Sequence, residues 1–172
     1  MLDNSFIFPY SKDKKIKQYE IWTNLQKGIL FEDNQVFIPW LTPFSDLDKF
    51  AEQKKDNADR TNWFLGQHRI LDDYECYVSN MKWSWTDNSK PFSGIDEFLG
   101  FDESGNEKFN LLKNKFIDLF GQPTINHPDK FYNFDIGTIG WTIGKIEISI
   151  CGFEQFACKY WLNVGLSEHK NT

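Results

Sequence analysis

The sequence predicts an α+β fold: a mostly antiparallel sheet of hairpins and a C-terminal meander, packed against two or three helices. Three observations carry this expectation. Residues 139–166 alternate apolar and polar side chains through three consecutive runs. Residues 107–120 carry a helical apolar stripe that ends at Gly121 and Pro123. The connections between runs are short, which suits antiparallel neighbours and leaves little room for parallel crossovers. The length, 172 residues, suits a single domain spanning 1–172 with a proper core.

Taken in chain order, residues 12–27 read as a helix closed by Gly28, with Ile16, Tyr19 and Trp22 or Thr23 on one face. Residues 29–38 read as a hairpin. With Asp33-Asn34 as its turn, Phe31 meets Val36 and Ile29 meets Ile38, and Pro39 ends the pairing because it has no amide to donate. Ser45 is placed to cap a short helix, with Asp48 three residues on and Leu47, Phe50 and Ala51 inward. The polar run 52–60 reads as a mobile loop. A second hairpin runs from Phe64 through Asp72-Asp73 to Val78. Beyond it, Met81, Trp83 and Trp85 alternate with polar residues in the parity opposite to Tyr74, Cys76 and Val78. A bulge or bend near Ser79-Asn80 would return all of them to one core; without it the tryptophans face outward. Ser104 or Asn106 caps the helix 107–120, whose stripe is Phe109, Leu112, Phe116 and Phe120.

The meander is the most determined segment. With Gly144-Lys145 as a two-residue turn, Ile143 faces Ile146, Trp141 faces Ile148 and Ile139 faces Ile150, all on one side of the sheet. Tyr160, Leu162, Val164 and Leu166 supply the third strand's apolar side. A short echo, Phe64-Leu65-Gly66-Gln67 and Leu119-Phe120-Gly121-Gln122, allows two sheet-plus-helix halves but is too brief to establish a duplication.

Composition narrows the function. Net charge is −6, which argues against a nucleic-acid partner, because phosphate contacts need clustered Lys and Arg. Aromatic residues make up 17%, enough to fill a core and leave rings for a surface. The three cysteines lack a C-x-x-C spacing and read as reduced thiols. Cys151 and Cys158 flank the second meander turn, which leaves a close approach open. The N-terminus shows no signal-peptide pattern, and no apolar run reaches membrane-spanning length, so a cytoplasmic protein with no membrane partner is expected.

Chemistry-bearing groups are sparse. The densest polar cluster is His68, Asp72, Asp73 and Glu75, which could hold a metal or pair a base with an acid. Turn formation already accounts for Asp72-Asp73, and His68 and Glu75 read as flanking that turn on a wet face. No catalytic residue, metal or cofactor is assigned on these grounds. The acidic stretch Asp96, Glu97, Asp102 and Glu103 reads as a solvated loop and helix start, or as a contact surface for a basic partner. Trp83 and Trp85 are the matching aromatic contact residues.

Ile38-Pro39-Trp40 before a capped helix, Leu119-Phe120-Gly121-Gln122-Pro123 closing a second, and the hairpin through Trp141 and Ile146-Glu147-Ile148 together resemble small bacterial proteins, some of them similar to toxin-immunity proteins. The resemblance implies a cytosolic α+β protein that acts by binding, and it transfers no functional residue. The expectation is therefore a non-catalytic binding protein, an acidic immunity or inhibitor protein for a basic toxin or enzyme. The alternative is a small enzyme or ligand-binding protein with a pocket near His68, Asp72 and Glu75.

Overall fold

A computed structural model describes residues 5–47, 49–50, 52–55, 61–80 and 91–167. It has the expected mostly antiparallel strands and three helices. The chain divides into two compact units, Met1–Asp96 and Glu97–Thr172.

In the first unit, helix α1 spans Lys14–Leu25. Asp13 caps it, accepting from the amides of Lys15 and Ile16 at 3.0 and 3.1 Å. Its buried face is Ile21, Trp22, Asn24 and Leu25; of the anticipated stripe Trp22 is buried, whereas Ile16 and Tyr19 are exposed. The burial of Asn24 explains the rotation. Its amide donates to the Ile7 carbonyl and its oxygen accepts from the Ile7 amide, so the N-terminal segment lies along that face. Gly28 is not a helix cap but opens strand β1 (Gly28–Phe31), where a Cβ would lie 2.7 Å from Pro39 Cα.

Strand β2 (Val36–Pro39) pairs with β1 in the expected register, Phe31 with Val36 and Ile29 with Ile38. Helix α2 is one turn, Phe44–Leu47, so Ser45 lies inside it rather than at its cap. Leu47 is buried as expected, whereas Phe50 is exposed; Asp48 and Ala51 lie outside the described residues. The first part of the presumed loop is a strand, β3 (Glu52–Lys55), because β4 (Thr61–Ile70) offers it a partner that its polar sequence does not reveal. Strand β5 (Tyr74–Asn80) completes the hairpin with a three-residue loop, since Ile70 pairs with Tyr74. A bulge lies on β4 between Phe64 and Gly66, opposite Val78 and Ser79. Met81, Trp83 and Trp85 lie outside the described residues.

Strand β6 (Gly94–Phe101) leads into the second unit, whose helix α3 spans Asp102–Phe120. It starts five residues before the anticipated helix, so Ser104 and Asn106 lie within it. Gly121 ends it at φ 85°. The strands of this unit run in the order β6, β10, β9, β8, β7. Here β7 is Ile125–Phe131, β8 Phe134–Ile143, β9 Ile146–Gln155 and β10 Ala157–Leu166. The meander register is the expected one: Ile143 with Ile146, Trp141 with Ile148, Ile139 with Ile150. Of these six, only Ile143, beside the turn, is exposed.

One face of strands β8, β9 and β10 is closed by α3. Phe109 lies 5.6 Å from the Tyr160 ring, and Phe116 meets Trp141 edge-on at 5.6 Å. Tyr160 fits because its neighbours are glycines: a Cβ on Gly152 would lie 2.7 Å from the ring, and one on Gly105 would overlap it. Hydrogen bonds pin both ends of α3. Trp141 Nε1 donates to the Gly121 carbonyl at 2.9 Å, and the Asp135 amide donates to Asn106 Oδ1 at 2.8 Å.

The sequence echo joins two different local structures. Gly66 and Gly121 both have positive φ, but one serves a bulge and the other a helix stop.

Two substitutions test this packing. Gly144 has φ 56°, so Gly144→Val should cost at least about 1 kcal/mol by denaturant unfolding; wild-type stability would contradict the turn. Phe116→Ala should cost about 3–5 kcal/mol, whereas Leu111→Ala, on the exposed side of α3, should be near neutral. Similar losses from both would contradict the assigned helix face.

Candidate functional site

The polar residues His68, Asp72, Asp73 and Glu75 each find a different partner. Two loops of the first unit meet beside them, Glu32–Gln35 between β1 and β2, and 71–73 between β4 and β5. Leu71, Asp72 and Asp73 all adopt left-handed φ, 51°, 65° and 66°. Successive amides of such a turn make a cradle for an anion. Glu32 occupies it: the Asp72 amide donates to Oε1 at 3.0 Å and the Asp73 amide to Oε2 at 2.6 Å. Burial raises the Glu32 carboxyl above its ordinary range, although these amides and the Tyr10 hydroxyl oppose the rise. Burial likewise raises Tyr10, assisted by the Glu32 charge.

His68 pairs with Asp33, which lies outside the anticipated cluster. Its Nδ1 lies 3.1 Å from Asp33 Oδ2, its Nε2 lies 2.9 Å from the Leu65 carbonyl, and its ring stacks on Phe31 at 4.2 Å. Burial alone would raise the Asp33 carboxyl, but the Arg69 amide and His68 outweigh it, and the net shift is downward. An Asp–His pair resembles the orienting half of a catalytic triad. Here the second ring nitrogen faces a backbone carbonyl, so the ring acts as a clasp between two hairpins. Glu75 pairs with Gln67 on the exposed side. An open cleft of ≈ 290 Å³ lies beside these groups, lined by Tyr10, Lys17, Glu32, Arg69, Asp72 and others. Its charges largely pair with one another, Lys17 with Asp72 at 3.0 Å and Arg69 with Asp73 at 3.0 Å. Among the described residues, no group of three or more His, Cys, Asp or Glu is placed to share a metal ion.

The acidic stretch does not form one open face. Asp96 and Glu97 point to opposite sides of β6, and Glu97 is only 6% exposed. Asp102, at φ 42°, accepts from the Cys158 amide at 2.9 Å and so ties the β9–β10 hairpin to the start of α3. Glu103 is exposed in the first turn of α3, where its charge complements the helix dipole.

What the sequence reading missed is a row of rings in the second unit, on the sheet face away from α3, in which three exposed phenylalanines flank the half-buried Trp161. Phe153 and Trp161 stack at 4.9 Å and 3°, Phe98 lies 5.1 Å from Trp161, and Phe101 lies 4.8 Å from Phe98. Phe98, Phe101 and Phe153 are 40%, 52% and 45% exposed. The signal was present in strand parity. If Tyr160, Leu162 and Val164 face the helix, Trp161 must face away, and the pairing of Cys151 with Trp161 puts Phe153 beside it. The same parity puts Cys151 and Cys158 on opposite faces. Both are free thiols, as is Cys76.

Comparison with family models, with curated proteins and with solved structures found no match to this chain. Among the described residues, no helix is long and apolar enough to cross a membrane.

Asp96 offers a test by titration. Burial pushes its carboxyl up to about 6. An unfolded Asp releases its proton near about 3.9. Between those values the folded chain holds a proton that the unfolded chain has lost, so stability falls as pH rises through that window. Asp96→Asn should therefore melt higher than wild type at pH 7, with the advantage shrinking as pH falls from about 6 to about 4. A difference that is flat across this range would contradict the burial of Asp96.

Proposed function

We propose that the protein acts by binding another protein and not by catalysis. It would serve in the cytoplasm as an acidic inhibitor or immunity-type protein against a basic bacterial toxin or enzyme. The observation that carries this reading is the row Phe98, Phe101, Trp161 and Phe153. Stacked, solvent-facing aromatic rings on a rigid sheet are the surface from which protein interfaces draw most of their affinity. The net charge of −6 supports a positively charged partner through faster encounter. Asp102 and Glu103, adjoining Phe101, lie where they can contribute.

A second reading, a ligand site in the cleft beside Asp72, is favoured by one observation, the raised carboxyl of Glu32 facing that cleft. His68 and Glu75 would then act from its margin.

The decisive experiment uses the partner isolated on the immobilised protein from host cells. The double variant Phe153→Ala/Trp161→Ala should dissociate at least tenfold faster with an unchanged fold, while higher salt should slow association for both proteins. Asp33→Asn/His68→Gln should leave both rates unaltered. Loss of binding in the second variant, with the first behaving as wild type, would transfer the function to the cleft.

A further inference from the structure

The turn between β9 and β10 is a single residue, because Gln155 pairs with Ala157. That residue is Phe156, at φ 64° and 99% exposed. Local physics favours a different residue there. A left-handed turn suits Gly or Asn, since a bulky side chain crowds its own backbone. Full exposure of the ring gains nothing from burial. The tip is also held in place. The ladder below it is continuous to Ile146 and Leu166, the Cys158 amide donates to Asp102 at 2.9 Å, and Lys159 Nζ donates to Gln155 at 3.2 Å. Three residues before the tip, Phe153 begins the row of stacked rings.

We propose that Phe156 is an anchor, presented on a rigid tip, that enters an apolar pocket with a positively charged rim on the protein partner. This rests on the reading of the neighbouring aromatic row as the contact face. Strain at an exposed position has a use where the ring becomes buried on binding, and a fixed tip loses little freedom when it docks. The charge of the rim follows from the groups around the tip. Glu154, Asp102 and Glu103 are exposed there. After burial, the charges of Asp102 and Glu154 are what raise the Cys158 thiol, which places both carboxylates close to the tip. Lys159 Nζ, which donates to the neutral Gln155 side chain, keeps its charge but is outnumbered by the carboxylates of Asp102 and Glu154. An exposed Phe could also enter a lipid surface, but these carboxylates oppose anionic headgroups. They favour a basic protein.

The test begins with benzoylphenylalanine placed at position 156, and separately at exposed position 111 on α3, for photo-cross-linking in host cells. A basic protein should cross-link at 156 and not at 111. Its affinity is then measured for three variants. Phe156→Gly and Phe156→Asn both suit the left-handed turn, so each should melt at or above the wild-type temperature while losing at least tenfold in affinity. Phe156→Leu, which keeps an apolar side chain, should lose less. If Phe156→Gly and Phe156→Asn bind as wild type while Phe153→Ala/Trp161→Ala binds weakly, the anchor is refuted and the contact face stands. If no variant alters binding, both fall. Absence of any cross-link at 156, or an acidic cross-linked protein, overturns the proposal. So does co-sedimentation with phosphatidylcholine–phosphatidylserine vesicles that Phe156→Gly abolishes, which would make lipid the occupant.

Discussion

Helix α3 covers one face of strands β8, β9 and β10 in the second unit, and most of what distinguishes this protein follows from that constraint. Side chains along a strand alternate between faces, so every apolar residue α3 buries fixes the orientation of its neighbours. Tyr160, Leu162 and Val164 turn toward Phe109, Phe116 and their helix. Trp161 and Phe153 must then turn the other way. The close seat of Tyr160 between Gly105 and Gly152 sets how near the helix can approach. Enlarging either glycine would lift the helix or displace the ring. The outward face of the sheet is thus positioned by the packing of the inward one.

The first unit shows how a concentration of polar groups can serve structure. An acidic loop, a left-handed turn and a histidine converge, and each finds its partner within the unit. Glu32 fills the cradle formed by the Asp72 and Asp73 amides. His68 is held between Asp33 and the Leu65 carbonyl while its ring rests on Phe31. The result joins two hairpins with charge-assisted hydrogen bonds, the stronger class, at a site where unpaired groups would be costly. A ligand entering the cleft would have to displace contacts already made.

Charge and aromatic surface divide the work of recognition in the proposed role. Diffuse negative charge acts over a distance of about 8 Å at physiological salt, which suits attraction of a partner but not its retention. Retention needs desolvated contact, and rings on a rigid sheet supply it with little loss of side-chain freedom. Buried Glu97 and the structurally engaged Asp102 contribute charge without offering an open hydrogen-bonding face.

By itself, the sequence determined the hairpins whose turns announce themselves. The β1–β2 and β8–β9 registers follow from apolar pairing about Asp33-Asn34 and Gly144-Lys145, because both signals lie within a few residues of each other. The inward stripe of α3 and its stop at Gly121 were legible for the same reason. Other features depended on residues distant in the chain. The buried face of α1 turned because Asn24 found Ile7, and Glu52–Lys55 became a strand because β4 lay beside it. His68 and Asp72 are close in sequence, yet the carboxylates that meet the His68 ring and the Asp72 amide come from Asp33 and Glu32, more than thirty positions away. Strand parity could have revealed Trp161 as outward-facing, but only the tertiary structure brought Phe98, Phe101 and Phe153 to it, because their contact crosses three strands. Local pattern fixes which way a side chain points; what it meets there is decided by long-range packing.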